Sequence, residues 1–212
     1  MDIIAHRGCW NAEKEKNTIE GLLSAFEKGY GIETDIRDYC GKLVISHNIA
    51  DSSSPAAEEM FRLYRDGNFQ SMLALNIKAD GIQPLLEPLL QKYNIENYFL
   101  FDMSIPELIV NCNRKLCFYT RHSDVEESCV MYQEASGVWL DSFYNERWVT
   151  GDIIKKHLSA GKFVSIVSPE LHQNAPEQMW NMLKAEGFHN HKQILLCTDM
   201  PDQARSFFYG KD

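Results

Sequence analysis

The chain has 212 residues, 44% hydrophobic and 24% charged, an ordinary globular composition with length enough for one large domain. Its formal net charge of -9 and pI near 5.3 exclude a protein that neutralises a nucleic-acid backbone, which needs a basic footprint. No apolar run approaches the ~18–20 residues of a membrane span, and Met1-Asp2 leads straight into a strand-like run with no basic leader, so a cytoplasmic protein without a membrane partner is expected.

Apolar β-rich runs alternate with helical patterns from end to end. The strands are predicted at 2–6, 31–36, 72–77, 97–102, 116–120, 137–141, 162–167 and 193–198. Between and after them, apolar spacing near the helical period predicts helices over 19–28, 56–65, 81–93, 104–112, 123–134, 150–159, 175–186 and 200–208. Thr18 is placed to cap the first helix, and Pro88 should kink or split the third. Segment 37–47, turning at Tyr39-Cys40-Gly41, extends the second strand. No linker or change of composition interrupts the pattern, so residues 1–212 are expected to form a single domain. Eight strands each followed by a helix predict an α/β fold, a compact (β/α)8 TIM barrel with short loops. An open doubly wound sheet is the alternative, but its glycine-rich phosphate loop is missing after the first strand.

Six cysteines are scattered without Cys-x-x-Cys spacing and read as free thiols of a reducing compartment rather than a zinc site. His122, His157, His172, His189 and His191 show no partner pattern.

The chemistry gathers where strands end, the place at which barrel enzymes build their sites. Those ends read His6/Arg7, Glu33/Asp35, Asn76/Lys78, Asp102, Arg121, Asp141, Glu170 and Asp199. Glu33 and Asp35 stand at i and i+2 and so project from one face, a repulsive pair unless a cation or shared proton intervenes. Asn76 and Lys78 repeat that spacing one strand on. Glu33, Asp35 and the amide oxygen of Asn76 make an all-oxygen set suited to Mg2+ or Ca2+. Arg7 and Lys78 supply a fork and a point charge for a phosphate. With His6 and His47 as acid and base, the set has what metal-assisted phosphoester hydrolysis requires.

His6-Arg7-Gly8, Asn17-Thr18, Glu33-Thr34-Asp35 and His47 together resemble the signature of the glycerophosphodiester phosphodiesterases. The specific motifs fall within residues 3–78, with a weaker echo at Thr198-Asp199-Met200-Pro201-Asp202. The resemblance implies a barrel of the phospholipase-C-like phosphodiesterase type and a role in lipid metabolism. It also implies a divalent metal ligated by Glu33 and Asp35, and catalysis by His6 and His47 on a small soluble phosphodiester. Three positions depart from the family pattern: Lys16 stands where a glutamate is usual, Asn48 replaces the aspartate after His47, and Asn76 replaces a carboxylate ligand. Glu15 and Asp102 are the alternative sources of the missing carboxylate. The departures motivate a second reading, a weakly active or non-catalytic barrel that binds a phosphorylated ligand.

Overall fold

The computed structural model describes residues 1–145 and 147–210. Nine strands and seven α-helices lie among these residues; apart from one antiparallel hairpin strand, the eight strands follow the order of the (β/α)8 barrel class expected from the sequence. The chain groups into two compact units, residues 5–117 in one and residues 1–4 with those from 118 onward in the other.

In the first unit, β1 (Asp2–His6, shared with the other unit) leads through a loop to α1 (Ile19–Glu27) and then to β2 (Gly31–Tyr39). The extension at 37–47 is a hairpin: β3 (Lys42–Ile45) pairs antiparallel with β2, with Tyr39 opposite Lys42. Cys40 (φ 48) and Gly41 (φ 75) make its two-residue turn, the left-handed pair that a tight hairpin requires. The unit continues with α2 (Ala57–Asp66), β4 (Leu73–Ile77), α3 (Gln83–Lys92), β5 (Tyr98–Phe101) and α4 (Ile105–Asn113). Strands β2, β4 and β5 run parallel in that order. β2 is buried on both faces from Gly31 to Ile36, as parallel strands covered by helices are.

Helix α3 runs unbroken through Pro88, against the predicted split. Pro84 and Pro88 both lie on the exposed face, so the Pro84 carbonyl that Pro88 cannot satisfy is open to water.

The other unit holds β6 (Tyr119–His122), β7 (Gly137–Leu140), α5 (Gly151–Ser159), β8 (Phe163–Val167), α6 (Glu177–Ala185), β9 (Ile194–Thr198) and α7 (Pro201–Tyr209). Strands β6 to β9 pair parallel in sequence order. β6 begins later than predicted and ends at His122. The helix predicted over 123–134 is a run of turns. Side chains capture its backbone: the Ser123 hydroxyl accepts from the Val125 and Glu126 amides, and the Thr120 hydroxyl donates to the Val130 carbonyl at 2.7 Å. Met131 is left-handed at φ 53. Among the described residues no helix is long and apolar enough to cross a membrane.

Candidate functional site

Ile3, Ile4 and Ala5 are buried, and the chain leaves β1 at His6 and Arg7. Arg7 is left-handed at φ 58 and Gly8 follows at φ 89. A Cβ on Gly8 would lie 2.6 Å from the Gly21 carbonyl carbon, so the loop passes over α1 at a distance only glycine permits. The Arg7 amide donates to the Glu33 carbonyl and the Asn17 amide donates to the Arg7 carbonyl, each at 2.9 Å. Thr18 caps α1 as predicted, its hydroxyl accepting from the Gly21 amide. These bonds fix the loop both to β2 and to its own far end.

On β2, Ile32, Thr34 and Ile36 share one face and Glu33 and Asp35 the other. The register with β4 sets Glu33 opposite Ala74 and Asp35 opposite Asn76, so Asn76 lies on the carboxylate face and the small Ala74 leaves room beside Glu33. Lys78 follows directly after β4, its amide donating to the Ile36 carbonyl at 2.9 Å.

Asp35 is fully buried and surrounded by donors. Arg7 Nε lies 3.2 Å from Oδ2, Lys78 Nζ lies 3.3 Å from Oδ1, and Asn17 Nδ2 donates to Oδ2 at 2.8 Å. Asn17 is itself held, its Oδ1 accepting from the Thr34 hydroxyl at 2.8 Å. Glu33 faces the His6 imidazole, with Nε2 3.8 Å from Oε2. Burial, and next the Asp35 charge, push the Glu33 carboxyl up to about 7, against the opposing pull of His6, Arg7 and Lys78.

Three oxygens in this cluster are buried and accept no hydrogen bond: Glu33 Oε2, Asp35 Oδ1 and Asn76 Oδ1. The approach of Lys78 to Asp35 Oδ1 is an ion pair without hydrogen-bond alignment. Asn76 spends its amide nitrogen on Asp102 Oδ2 at 3.2 Å, which leaves its carbonyl oxygen as the open group. Buried acceptors without partners cost of order 1–3 kcal/mol each, so three on adjoining strands call for a cation or donor from outside the chain. An all-oxygen set of two carboxylates and an amide fits a hard divalent cation.

Of the residues singled out in the sequence, His6, Arg7, Glu33, Asp35 and Lys78 come together directly, and Asn76 joins through the β2–β4 register. His47 is exposed just beyond β3, with Nδ1 3.0 Å from Asn48 Oδ1, and the Ser46 amide beside it donates to the Asp35 carbonyl at 3.0 Å. Lys16 pairs with Glu13 at 2.8 Å and sits 4.1 Å over the Trp10 ring. Glu15, an alternative carboxylate source, accepts from the Asn11 amide at 2.9 Å. Asn17 was missed as a contributor to the site, although it stands within the motif, and so was Arg37, whose Nη2 donates to the Lys78 carbonyl at 3.2 Å. In the other unit the strand-end groups pair among themselves: Asp141 with His172 at 2.8 Å, and Glu170 with Ser168, Thr198 and the Asp199 amide.

In sequence, the chain matches no family model and none of the curated proteins. In structure it is similar to a Galdieria sulphuraria protein assigned to the glycerophosphodiester phosphodiesterases, with TM-score 0.78 and 18% identity over 98% of this chain and 97% of that one. A glycerophosphodiester phosphodiesterase of Parabacteroides distasonis aligns at TM-score 0.70 and 18% identity, covering 98% of this chain and 96% of its own. An Oleispira antarctica phosphodiesterase, solved with its product sn-glycerol-3-phosphate, aligns at TM-score 0.70 and 14% identity with coverages of 98% and 96%. At these identities the likeness establishes a shared fold along nearly the whole chain.

Proposed function

We propose that this protein is a phosphoric diester hydrolase acting on a glycerophosphodiester or a similar small soluble phosphodiester, with a divalent cation as cofactor. The observation that carries this reading is the set of three orphaned buried oxygens, Glu33 Oε2, Asp35 Oδ1 and Asn76 Oδ1, beside the partly exposed cations of Arg7 and Lys78. The shared fold with phosphodiesterases, one of them solved with sn-glycerol-3-phosphate, supports the substrate class.

Glu33, Asp35 and Asn76 would hold Mg2+ or Ca2+, which would supply charge neutralisation at a phosphoryl oxygen. Arg7 and Lys78 are each about a fifth exposed, with Asp35 behind them. They would turn their outer N–H groups to the non-bridging oxygens and stabilise the charge that develops there. His6, backed by Glu33, and His47, exposed at the end of β3, would serve as general acid and base. One deprotonates the attacking hydroxyl or water and the other protonates the leaving alkoxide. Asn17 would be a positioning residue, keeping Asp35 oriented between the two cations.

A second reading rests on the enclosure of Asp35. Its charge is already met by Arg7, Lys78 and Asn17, which suits a barrel that binds a phosphorylated ligand without turning it over. The separating experiment is hydrolysis of a panel of glycerophosphodiesters with Mg2+, Ca2+ or Mn2+, and again with chelator. Metal-stimulated release of glycerol phosphate is expected. Absence of turnover, together with stabilisation by phosphate esters in chelator, would establish the binding reading instead.

A further inference from the structure

No sequence pattern relates His122 to His157, yet the fold of the second unit brings them together. His122 ends β6 and His157 lies in the last turn of α5; both are buried, and Nδ1 of one is 2.9 Å from Nε2 of the other. The two rings stand almost perpendicular, at 86° with centroids 5.0 Å apart. Cys129, half-buried in the irregular 123–136 segment, completes a group whose ligating atoms all lie within 4.8 Å of one another.

We propose that His122, Cys129 and His157 form a binding site for a borderline transition-metal ion, Zn2+ foremost, with the fourth position open to water or an external ligand. Two imidazoles and a thiolate are the donor set that such ions select over Mg2+ or Ca2+. In a tetrahedral shell the two nitrogens sit ~3.3 Å apart and each ~3.6 Å from the sulfur, at metal distances of ~2.0–2.1 and ~2.3 Å. The separations in the protein, 2.9 Å between the nitrogens and no more than 4.8 Å across the group, bracket those values.

His157 also has the outer partner that orients a metal-ligating histidine. Tyr132 Oη is 2.9 Å from Nδ1 of His157, and His122 packs edge-on against Trp148 at 4.8 Å. Burial above all holds both imidazoles neutral near pH 7, with His157 lowered to about 4, so their lone pairs are available to an ion. Burial raises the Cys129 thiol, and Lys156 opposes that shift. Binding would release the thiol proton to solvent. A hydrogen-bonded chain from Tyr132 through His157 to His122 engages these nitrogens, and the ion would replace the inner bond of that chain.

The test is Co2+ titration of the chelator-washed full chain in excess Mg2+, which occupies oxygen-donor sites, followed by competition with Zn2+. One equivalent of Co2+ should bind with a thiolate-to-cobalt charge-transfer band that Zn2+ abolishes. Cys129→Ser, a conservative change on a half-buried loop, should lose the band, and Tyr132→Phe should weaken Co2+ binding ~10–100-fold. A wild-type protein without the band, or a band that survives in Cys129→Ser, would overturn the site and leave only a hydrogen-bonded imidazole pair. Phosphodiester hydrolysis does not enter the readout, so the result stands apart from the reading of the Glu33 cluster.

Discussion

Asp35 and Asn76 face each other across the parallel register of β2 and β4, and each keeps a buried oxygen without a hydrogen bond. The pair is the point at which the chain departs most sharply from a carboxylate-rich cation site, because an amide oxygen can ligate but brings no charge. One added carboxylate is opposed by its own desolvation and favoured by the cation, for a net gain of roughly 1–3 kcal/mol, or about ten- to a hundredfold in affinity. Asn76→Asp is therefore expected to bind Mg2+ more tightly in calorimetric titration. Asn76→Leu is expected to lose metal-stimulated hydrolysis. If Asn76→Leu binds Mg2+ as the native protein does, Asp102 becomes the first candidate for the third ligand.

Asn17 carries a different expectation, because its role is structural as well as electrostatic. It donates to Asp35, accepts from Thr34 and holds a left-handed backbone at φ 59. Asn17→Ala removes both bonds from a buried carboxylate and hydroxyl and places alanine in a strained conformation, an expected loss of about 2–4 kcal/mol. Asn17→Gly removes the bonds but relieves the strain, so it should lie ~1 kcal/mol above the alanine variant. Urea unfolding of the two variants measures both terms; equal stabilities would show that the backbone conformation contributes nothing.

The strand ends of the first unit were legible because each is an apolar run that stops at polar or ionisable residues, and i, i+2 spacing alone puts Glu33 with Asp35 and Asn76 with Lys78 on one face. Register then adds what spacing cannot: that Asp35 meets Asn76 while Glu33 meets Ala74. The 123–134 segment misled because its apolar residues have helical spacing, whereas the Ser123 hydroxyl draws the Val125 and Glu126 amides into a turn and the Asp124 carboxylate accepts from the amides of Phe143, Tyr144 and Asn145. The His122–His157 pair was invisible for another reason. Its members are 35 residues apart, and no local period relates the end of a strand to the end of a later helix. Pro88 was read by its missing donor, but exposure decides whether that absence matters.

His47 separates chemistry from stability. Its side chain is exposed and bonds only its neighbour Asn48 among the described hydrogen bonds, so His47→Ala should leave the melting temperature within about a degree of native. If it supplies the acid or base, turnover should fall ~10²–10⁴-fold with KM little changed. Full activity in His47→Ala would remove it from the mechanism and leave His6 alone to be explained.

The Asp141–His172 pair sets a pH dependence in the other unit. His172 Nε2 lies 2.8 Å from Asp141 Oδ1, and that hydrogen bond, helped by the charges of Asp141 and Asp124 and opposed by burial, raises the imidazole above its ordinary value. A group whose pKa is higher folded than unfolded contributes stability that is complete below the unfolded value, near pH ~6.5, and fades as pH climbs through the folded one. Asp141→Asn keeps an oxygen that can accept the Ser142 amide but withdraws the charge from the imidazolium. Its cost should be about 1–2 kcal/mol near pH ~5.5 and much smaller near pH ~9, where His172 is neutral in both states. Denaturant unfolding of the native and variant proteins at the two pH values measures the difference. A cost that is the same at both would mean that the pair is held by the neutral hydrogen bond and by the Phe143 ring packed 5.2 Å from His172, with no contribution from the charge.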